Sequence, residues 1–323
     1  MPGATSDEMV RRWIPIERCV ACGSQLDETG GSLDLRDHWG ITRDRFHLTC
    51  CNKCKTWLLN PRPAPEEMAR FYQGDFLYTA PADRVSFITR MASRVQSWNL
   101  ASEVNWVCRE LPARGRYLDY SAGNGQILAA VVRRRPDASV AATEYSEAYR
   151  PMIEQRIPNT IVYPTLESLP GGDCFDVISA FGVLEHVERP LELLRAFRAR
   201  LTPNGKILVS IPNPGSVQAR VFGRRWYNWL APRHFQMMPR QAFLDFAHGA
   251  NLQVTGEQHF FLRSAPSSLA LSMFPGLDPL LPSTNARQLA YAMLFAAALP
   301  FELAFAKVKA SSFMGFALKK SGG

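Results

Sequence analysis

An α/β fold with a mainly parallel sheet covered on both faces is predicted for this chain of 323 residues, on three observations. Short apolar segments alternate with helical patterns from about Arg114 onward, which is the signature of strand–helix–strand units. The small-residue turn Ser121-Ala122-Gly123-Asn124-Gly125 joins the first of these strands to a helix. The second strand ends on a carboxylate, Glu144, about where such folds meet the hydroxyls of a ribose.

In chain order, the first eighty residues carry two CxxC pairs, Cys19/Cys22 and Cys51/Cys54. Two residues between thiolates let a tight turn aim both sulfurs at one ion, and two such turns complete the tetrahedral shell that zinc favours. Gly23 suits a knuckle that needs positive φ. Alternation over Asp44–Thr49 reads as ribbon strand. Cys50 could substitute as a ligand, although only Cys51 keeps the register with Cys54; His38 and His47 are weaker alternatives. A closed four-cysteine site leaves no position for substrate, so the expectation is structural zinc. The stiff segment Asn60–Pro65 follows, then a short helix over Glu66–Tyr72. From Met91, the positions Val95, Trp98, Val104, Cys108 and Leu111 recur at helical spacing. The expected division is 1–80 for the zinc module and its link, 81–113 for connecting helices, and 114–323 for the main domain.

In that domain, strand Arg116–Tyr120 is expected to lead through the glycine turn into helix Gln126–Arg133. Further strands are expected at Ser139–Thr143, Thr160–Tyr163, Phe175–Ala180, Lys206–Ile211, Leu252–Phe261 and Phe313–Lys319, with a helix at Glu147–Arg156. An apolar insertion over 266–308 separates the last two strands.

The run resembles the class I S-adenosylmethionine-dependent methyltransferases from about Arg114 to the C-terminus. The resemblance rests on Leu118–Gly125, Asp176-Val177-Ile178, Val183-Leu184-Glu185-His186-Val187 with Pro190, and Leu201–Gly205. It implies a Rossmann-like, seven-stranded methyltransferase sheet. It also implies that Asp119, Ser121, Gly123 and Gly125 surround the methionine part of the cofactor. Glu144 would take the ribose hydroxyls, Tyr145, Thr165 and Leu166 would flank the adenine, and Ala180 and Phe181 would lie near the sulfonium. Ser121 stands where the family usually has glycine, and Thr165 where it usually has Asp. The cysteine pairs with Asn60–Pro63 are similar to a zinc module carried by methyltransferases of sugar, glycolipid and natural-product pathways.

The expected reaction is in-line methyl transfer to a small molecule, a sugar, lipid-linked or natural-product intermediate, with histidine-assisted deprotonation. His186 and His234 are the candidate bases; His248 and His259 read as structural. Asn213, Trp226, Tyr227 and Arg233, in the segment after the fifth strand, are the candidate substrate wall. The net charge of +8 suits a phosphorylated acceptor, nucleic acid or a membrane surface. An RNA methyltransferase is the enzyme alternative, disfavoured for exocyclic amines by Ala180-Phe181-Gly182-Val183 after the fourth strand; a non-catalytic protein of this fold is the other. No signal peptide is expected from a start bearing Asp7 and Glu8, and CxxC thiols suit a reducing cytoplasm. The charge-free run Gln288–Phe301 is short for a span of ~20 residues and contains Pro300. The insertion is therefore expected as a helical cap, a homodimer surface, or a peripheral contact with membrane aided by Lys307 and Lys309.

Overall fold

The computed structural model describes residues 12–72, 100–158, 160–172, 174–278 and 284–322. The expected helical positions Val95 and Trp98 lie outside them. The N-terminal part contains β1 (Trp13–Ile14), β2 (Ser32–Arg36), β3 (Arg45–Cys50), β4 (Trp57–Leu59), β5 (Arg62–Pro63) and the short α1 (Pro65–Met68). β2, β3 and β4 form an antiparallel ribbon in which Leu35, Phe46, Leu48 and Leu59 point into a common core, as period-two alternation requires.

After α2 (Ala101–Glu110) come β6 (Arg116–Tyr120), α3 (Gln126–Arg134), β7 (Ser139–Thr143), α4 (Arg150–Arg156), β8 (Val162–Tyr163), β9 (Phe175–Phe181) and α5 (Pro190–Ala199). β10 (Leu201–Pro212), α6 (Val217–Phe222), β11 (Gln236–Met237), α7 (Arg240–Gly249), β12 (Leu252–Gln258), α8 (Ser264–Met273), α9 (Asn285–Lys307) and β13 (Phe313–Lys320) complete the described chain. Seven of these strands make one sheet in the order β12-β13-β10-β9-β6-β7-β8. β10, β9, β6, β7 and β8 run parallel, while β13 enters antiparallel between β10 and β12. Two apolar cores cover the sheet's faces, one with α5 and α7, the other with α2 and α3.

Boundaries differ from the sequence reading for identifiable reasons. α4 starts at Arg150 rather than Glu147, with Pro151 in the first turn, where its missing N–H costs nothing. β10 starts at Leu201 because Thr202–Gly205 is absorbed as a register shift against β9. A side chain at Gly205 would meet the Phe175 carbonyl at 2.7 Å, so the shift needs glycine. The apolar insertion forms one helix of 23 residues, long and apolar enough to cross a membrane by length and composition. It continues through Pro300, and Glu302 beyond it is buried, so the shorter length estimate from the charge-free run is corrected.

β11 does not join the large sheet. It pairs with β4, Gln236 opposite Leu58 and Met237 opposite Trp57, and adds a fourth strand to the N-terminal ribbon. Trp226, Trp229, Ala231, Phe235 and Met237 share the ribbon's core with Phe46, Leu48 and Phe71.

In β13, a Cβ on Gly315 would lie 2.5 Å from Phe261 and 2.6 Å from Trp106. Both rings are buried in a close-packed core with no room to retreat. Gly315→Ala should therefore destabilise by about 1–3 kcal/mol, read as a lower urea midpoint at unchanged slope.

Candidate active site

β6 brings Asp119 to the carboxyl edge of the sheet, four percent exposed. Its Oδ1 accepts from the Ser179 hydroxyl of neighbouring β9 at 2.8 Å, and Ser179 in turn is 2.7 Å from the Tyr117 hydroxyl. Oδ2 is buried with no hydrogen-bond partner. Burial pushes the Asp119 carboxyl up to about 6, against the hydrogen bonds from Ser179 and Tyr117. An orphaned carboxylate oxygen beside a glycine turn fits a cation, such as the ammonium of a bound amino acid.

The turn itself is shaped by positive φ at Ser121 (59°), Gly123 (57°) and Gly125 (73°). At Gly125 a side chain would also press within 3.0 Å of Ile153 on α4. Ser121 tolerates the left-handed region with its amide donating to Thr143 Oγ1 at 3.1 Å. Glu144 follows β7, and its two carboxylate oxygens accept from Gly123 N (2.7 Å) and Ser146 N (2.8 Å). Burial nevertheless holds its pKa above the usual value. Each oxygen retains acceptor capacity for a diol. The Tyr145 ring, 84% exposed, stands open beside it.

Thr165 is exposed and its amide donates to Ser168 Oγ; Leu166 and Ala180 face the apolar core. For these two residues, only backbone can reach a ligand. Phe181, at the end of β9, is half-buried, with its ring 6.0 Å from Trp106.

Past β9, a single helical turn over Leu184–His186 brings Glu185 and His186 against His234. One ligand-type atom of each of the three lies within 4.8 Å of the others. The two imidazoles pack edge to face at 4.6 Å. His186 Nδ1 is 2.9 Å from the Arg233 carbonyl, and His234 Nδ1 is 2.7 Å from the Asn228 carbonyl. A carbonyl only accepts, so both Nδ1 atoms carry the hydrogen and both Nε2 atoms carry the lone pair. Burial pulls His186 down to about 4 and His234 well below its ordinary value, so both rings are neutral. Burial pushes Glu185 up to about 8, and its Oε2 has no hydrogen-bond partner. The sequence reading takes Glu185 only as part of the motif; a carboxylate beside a histidine just past a buried strand was the available signal.

The expected substrate wall is different from its sequence reading. Asn213 is buried, with its amide donating to Ser311 O and accepting from Gly215 N, so it ties down the turn after β10. Trp226 is one percent exposed and fills the ribbon core. The Tyr227 hydroxyl donates to Asp278 at 2.7 Å. Arg233 is fully buried: it pairs with Asp37 at 2.9 Å, donates to Phe71 O, and lies 3.8 Å over the Trp39 ring. Its guanidinium is committed to the N-terminal ribbon rather than open to a phosphate. Sequence spacing could not show this, because Asp37 is 196 positions away.

The four cysteines converge. Cys19 and Cys54 sulfurs are 3.5 Å apart, Cys22 and Cys51 sulfurs 3.6 Å apart, and all four lie within 4.8 Å of one another. Tetrahedral zinc with Zn–S near 2.3 Å needs sulfurs roughly 3.8 Å apart, so the set fits the ion. Gly23 and Lys55 both have positive φ, at matching positions of the two knuckles. Cys50 is outside the cluster, its thiol 3.8 Å from the Cys51 carbonyl. His47 is 2.9 Å from Asp34 and His38 packs edge to face against Tyr227; neither joins the sulfurs. His259 lies 2.8 Å from Glu257.

A methyltransferase-domain family model matches residues 91–257. Among solved structures, a candidate sarcosine dimethylglycine methyltransferase from Galdieria sulphuraria is 17% identical, covering 76% of this chain and 92% of its own, at TM-score 0.48. The cyclopropane synthase MmaA2 from Mycobacterium tuberculosis is 14% identical over 68% of this chain and 83% of its own, at TM-score 0.47. A sugar N-methyltransferase from Streptoalloteichus sp ATCC 53650 is 24% identical over 41% and 56%, at TM-score 0.32. No curated protein sequence matches. With the family model spanning more than half of its length, the chain belongs to the methyltransferase-domain family and has the class I, S-adenosylmethionine-dependent fold.

Proposed function

We propose that the protein methylates a hydroxyl or amine of a small-molecule acceptor, and that His186 and His234, packed beside Glu185, receive the acceptor's proton. The carrying observation is that enclosed cluster, one strand over from the glycine turn, with two neutral imidazoles whose Nδ1 hydrogens are already committed. S-adenosylmethionine, when bound, supplies an electrophilic methyl group on its sulfonium. In this reading Asp119 holds the cofactor's ammonium, Glu144 its ribose hydroxyls, and Tyr145 covers its adenine. Ser121, Gly123 and Gly125 let the backbone approach, and Phe181 closes the far side.

The basicity of the cluster bears on the acceptor. An imidazole held down to about 4 is a weak base. It serves a hydroxyl or amine, whose proton becomes strongly acidic as the new bond forms, better than an unactivated carbon. The test is methyl transfer from labelled S-adenosylmethionine to a panel of hydroxylated and aminated small molecules. His186→Gln and His234→Gln should lower kcat by about 10²–10⁴ with cofactor affinity retained. Full activity in both variants would remove the proposed role.

Cofactor affinity should depend on pH through Asp119. Its carboxyl is raised to about 6, and Tyr117, Ser179 and Glu144 are the polar and titratable groups facing it. The proton favours the free folded protein: that contribution is full below the unfolded value near 4 and lost as pH rises through about 6. A cationic ligand needs the carboxylate, so affinity should rise about tenfold from pH 5 to pH 7, with proton release at the lower end. Calorimetry at both values checks it; Asp119→Asn should bind more weakly and show no such slope.

For the cysteine cluster the reading is structural zinc. The proposed division at 1–80, 81–113 and 114–323 is one of roles, since β11 and the buried Arg233 cross it in space.

A further inference from the structure

α9 inverts the usual arrangement of a surface helix. Only Ala298 and Glu302 are buried, while Leu289 (63%), Met293 (61%), Phe301 (59%) and Leu303 (44%) face outward. Between Gln288 and Ala306 no exposed residue is charged. Just 11% of its apolar stretch is buried. The helix is nonetheless fastened flat to the domain. Glu302 accepts from Gln218 Nε2 at 2.6 Å and from Ser311 Oγ at 2.7 Å, and Tyr291 is 2.8 Å from Ser267. Arg287 donates to the Gly276 carbonyl at one end, and β13 begins five residues beyond Val308 at the other. A helix tied at both ends and along its length lies on a surface rather than crossing it.

The patch continues through Met273 and Phe274 to the turn Pro275–Leu277, which packs against α8 and α9. Pro275 also lines a groove of about 490 Å³ whose walls include Arg36, Arg45, Arg224 and Arg225. Among the described residues none of these four arginines has an ion-pair partner. The two carboxylates of the groove are engaged elsewhere, Asp34 by His47 and Asp37 by Arg233. Lys307 and Lys309 add cations at the far end of the helix, Lys309 at 3.3 Å from Glu257.

We infer that this face docks on an anionic lipid bilayer, with the arginine groove on headgroup phosphates and the outward side of α9 in the acyl boundary. Apolar side chains bordered by cations, the four groove arginines being unpaired among the described residues, are what such a surface recognises. A two-fold contact with a second copy would bring two equally basic faces together, so charge selects the bilayer over the homodimer.

The test uses the full chain with sedimenting vesicles of phosphatidylcholine, alone or mixed with phosphatidylglycerol. Binding to the mixed vesicles should be about tenfold or more tighter than to neutral ones and should weaken with salt. Met293→Asp combined with Phe301→Asp should abolish it, and Arg224→Glu with Arg225→Glu should remove the dependence on phosphatidylglycerol. Thermal unfolding and S-adenosylmethionine affinity should be unchanged in both variants, separating this result from methyl transfer. Failure to sediment with either vesicle would overturn the inference. So would a wild-type dimer, seen by sedimentation velocity, that the Met293→Asp and Phe301→Asp pair converts to monomer, since a second copy would then cover the face.

Discussion

Asp37→Ala should cost about 3–5 kcal/mol of folding stability, because it strands a guanidinium that has no route to water. Both side chains of the Asp37–Arg233 pair are 0% exposed. Asp37 also accepts from the amides of Trp39 (3.1 Å) and Thr42 (3.0 Å), so its removal leaves several donors unmet. The damage should reach the chemistry. The carbonyl of Arg233 orients His186, and the next residue is His234, so displacing this stretch of backbone moves both imidazoles. Urea unfolding and initial-rate assays check the two effects separately. Asp37→Ala combined with Arg233→Met should regain most of the stability, since an apolar pair replaces an uncompensated charge. A loss below about 1 kcal/mol for Asp37→Ala alone would mean the pair is solvated rather than buried.

Cys51→Ser should release the metal and unfold the N-terminal ribbon. Structural zinc sites carry apparent binding free energies of about 10–16 kcal/mol, most of which is folding energy. Wild-type protein is expected to hold one zinc per chain by elemental analysis, Cys50→Ser to keep it, and Cys51→Ser to lose it. Cys50 separates a metal effect from a general intolerance of serine at the end of β3, because its thiol lies outside the cluster. Melting should fall steeply in Cys51→Ser and methyl transfer should disappear, while the glycine turn still binds cofactor. Metal-free wild-type protein with unchanged melting would refute structural zinc.

What could be read from the sequence was local. β6, the glycine turn and β7 appear where alternation and small residues put them, because each is set by its own few residues. The two CxxC pairs likewise declare themselves by spacing, and the sulfurs meet. Trp226 and Arg233 read as a substrate wall because aromatic and basic residues look alike whether they line a cleft or fill a core. Only the partner decides, and for Arg233 and Trp226 the partners lie in the ribbon far back along the chain. The helix of the insertion was underestimated for a related reason. Glu302 reads as a charge ending an apolar run, whereas Gln218 and Ser311 absorb it and the helix continues.

The two residues of β11 have a further consequence. On one side they pair with β4 of the cysteine ribbon. On the other, the Gln236 side chain donates to the carbonyls of Leu184 and Val187, and the Phe235 amide donates to Glu185 O, so they grip the turn that carries Glu185 and His186. Arg62 of β5 ties to the adjoining residue Glu188 at 3.0 Å. Under the structural-zinc reading, loss of the ion from the four cysteines would be felt at Glu185 and His186 through a splice of two residues, with the glycine turn left untouched.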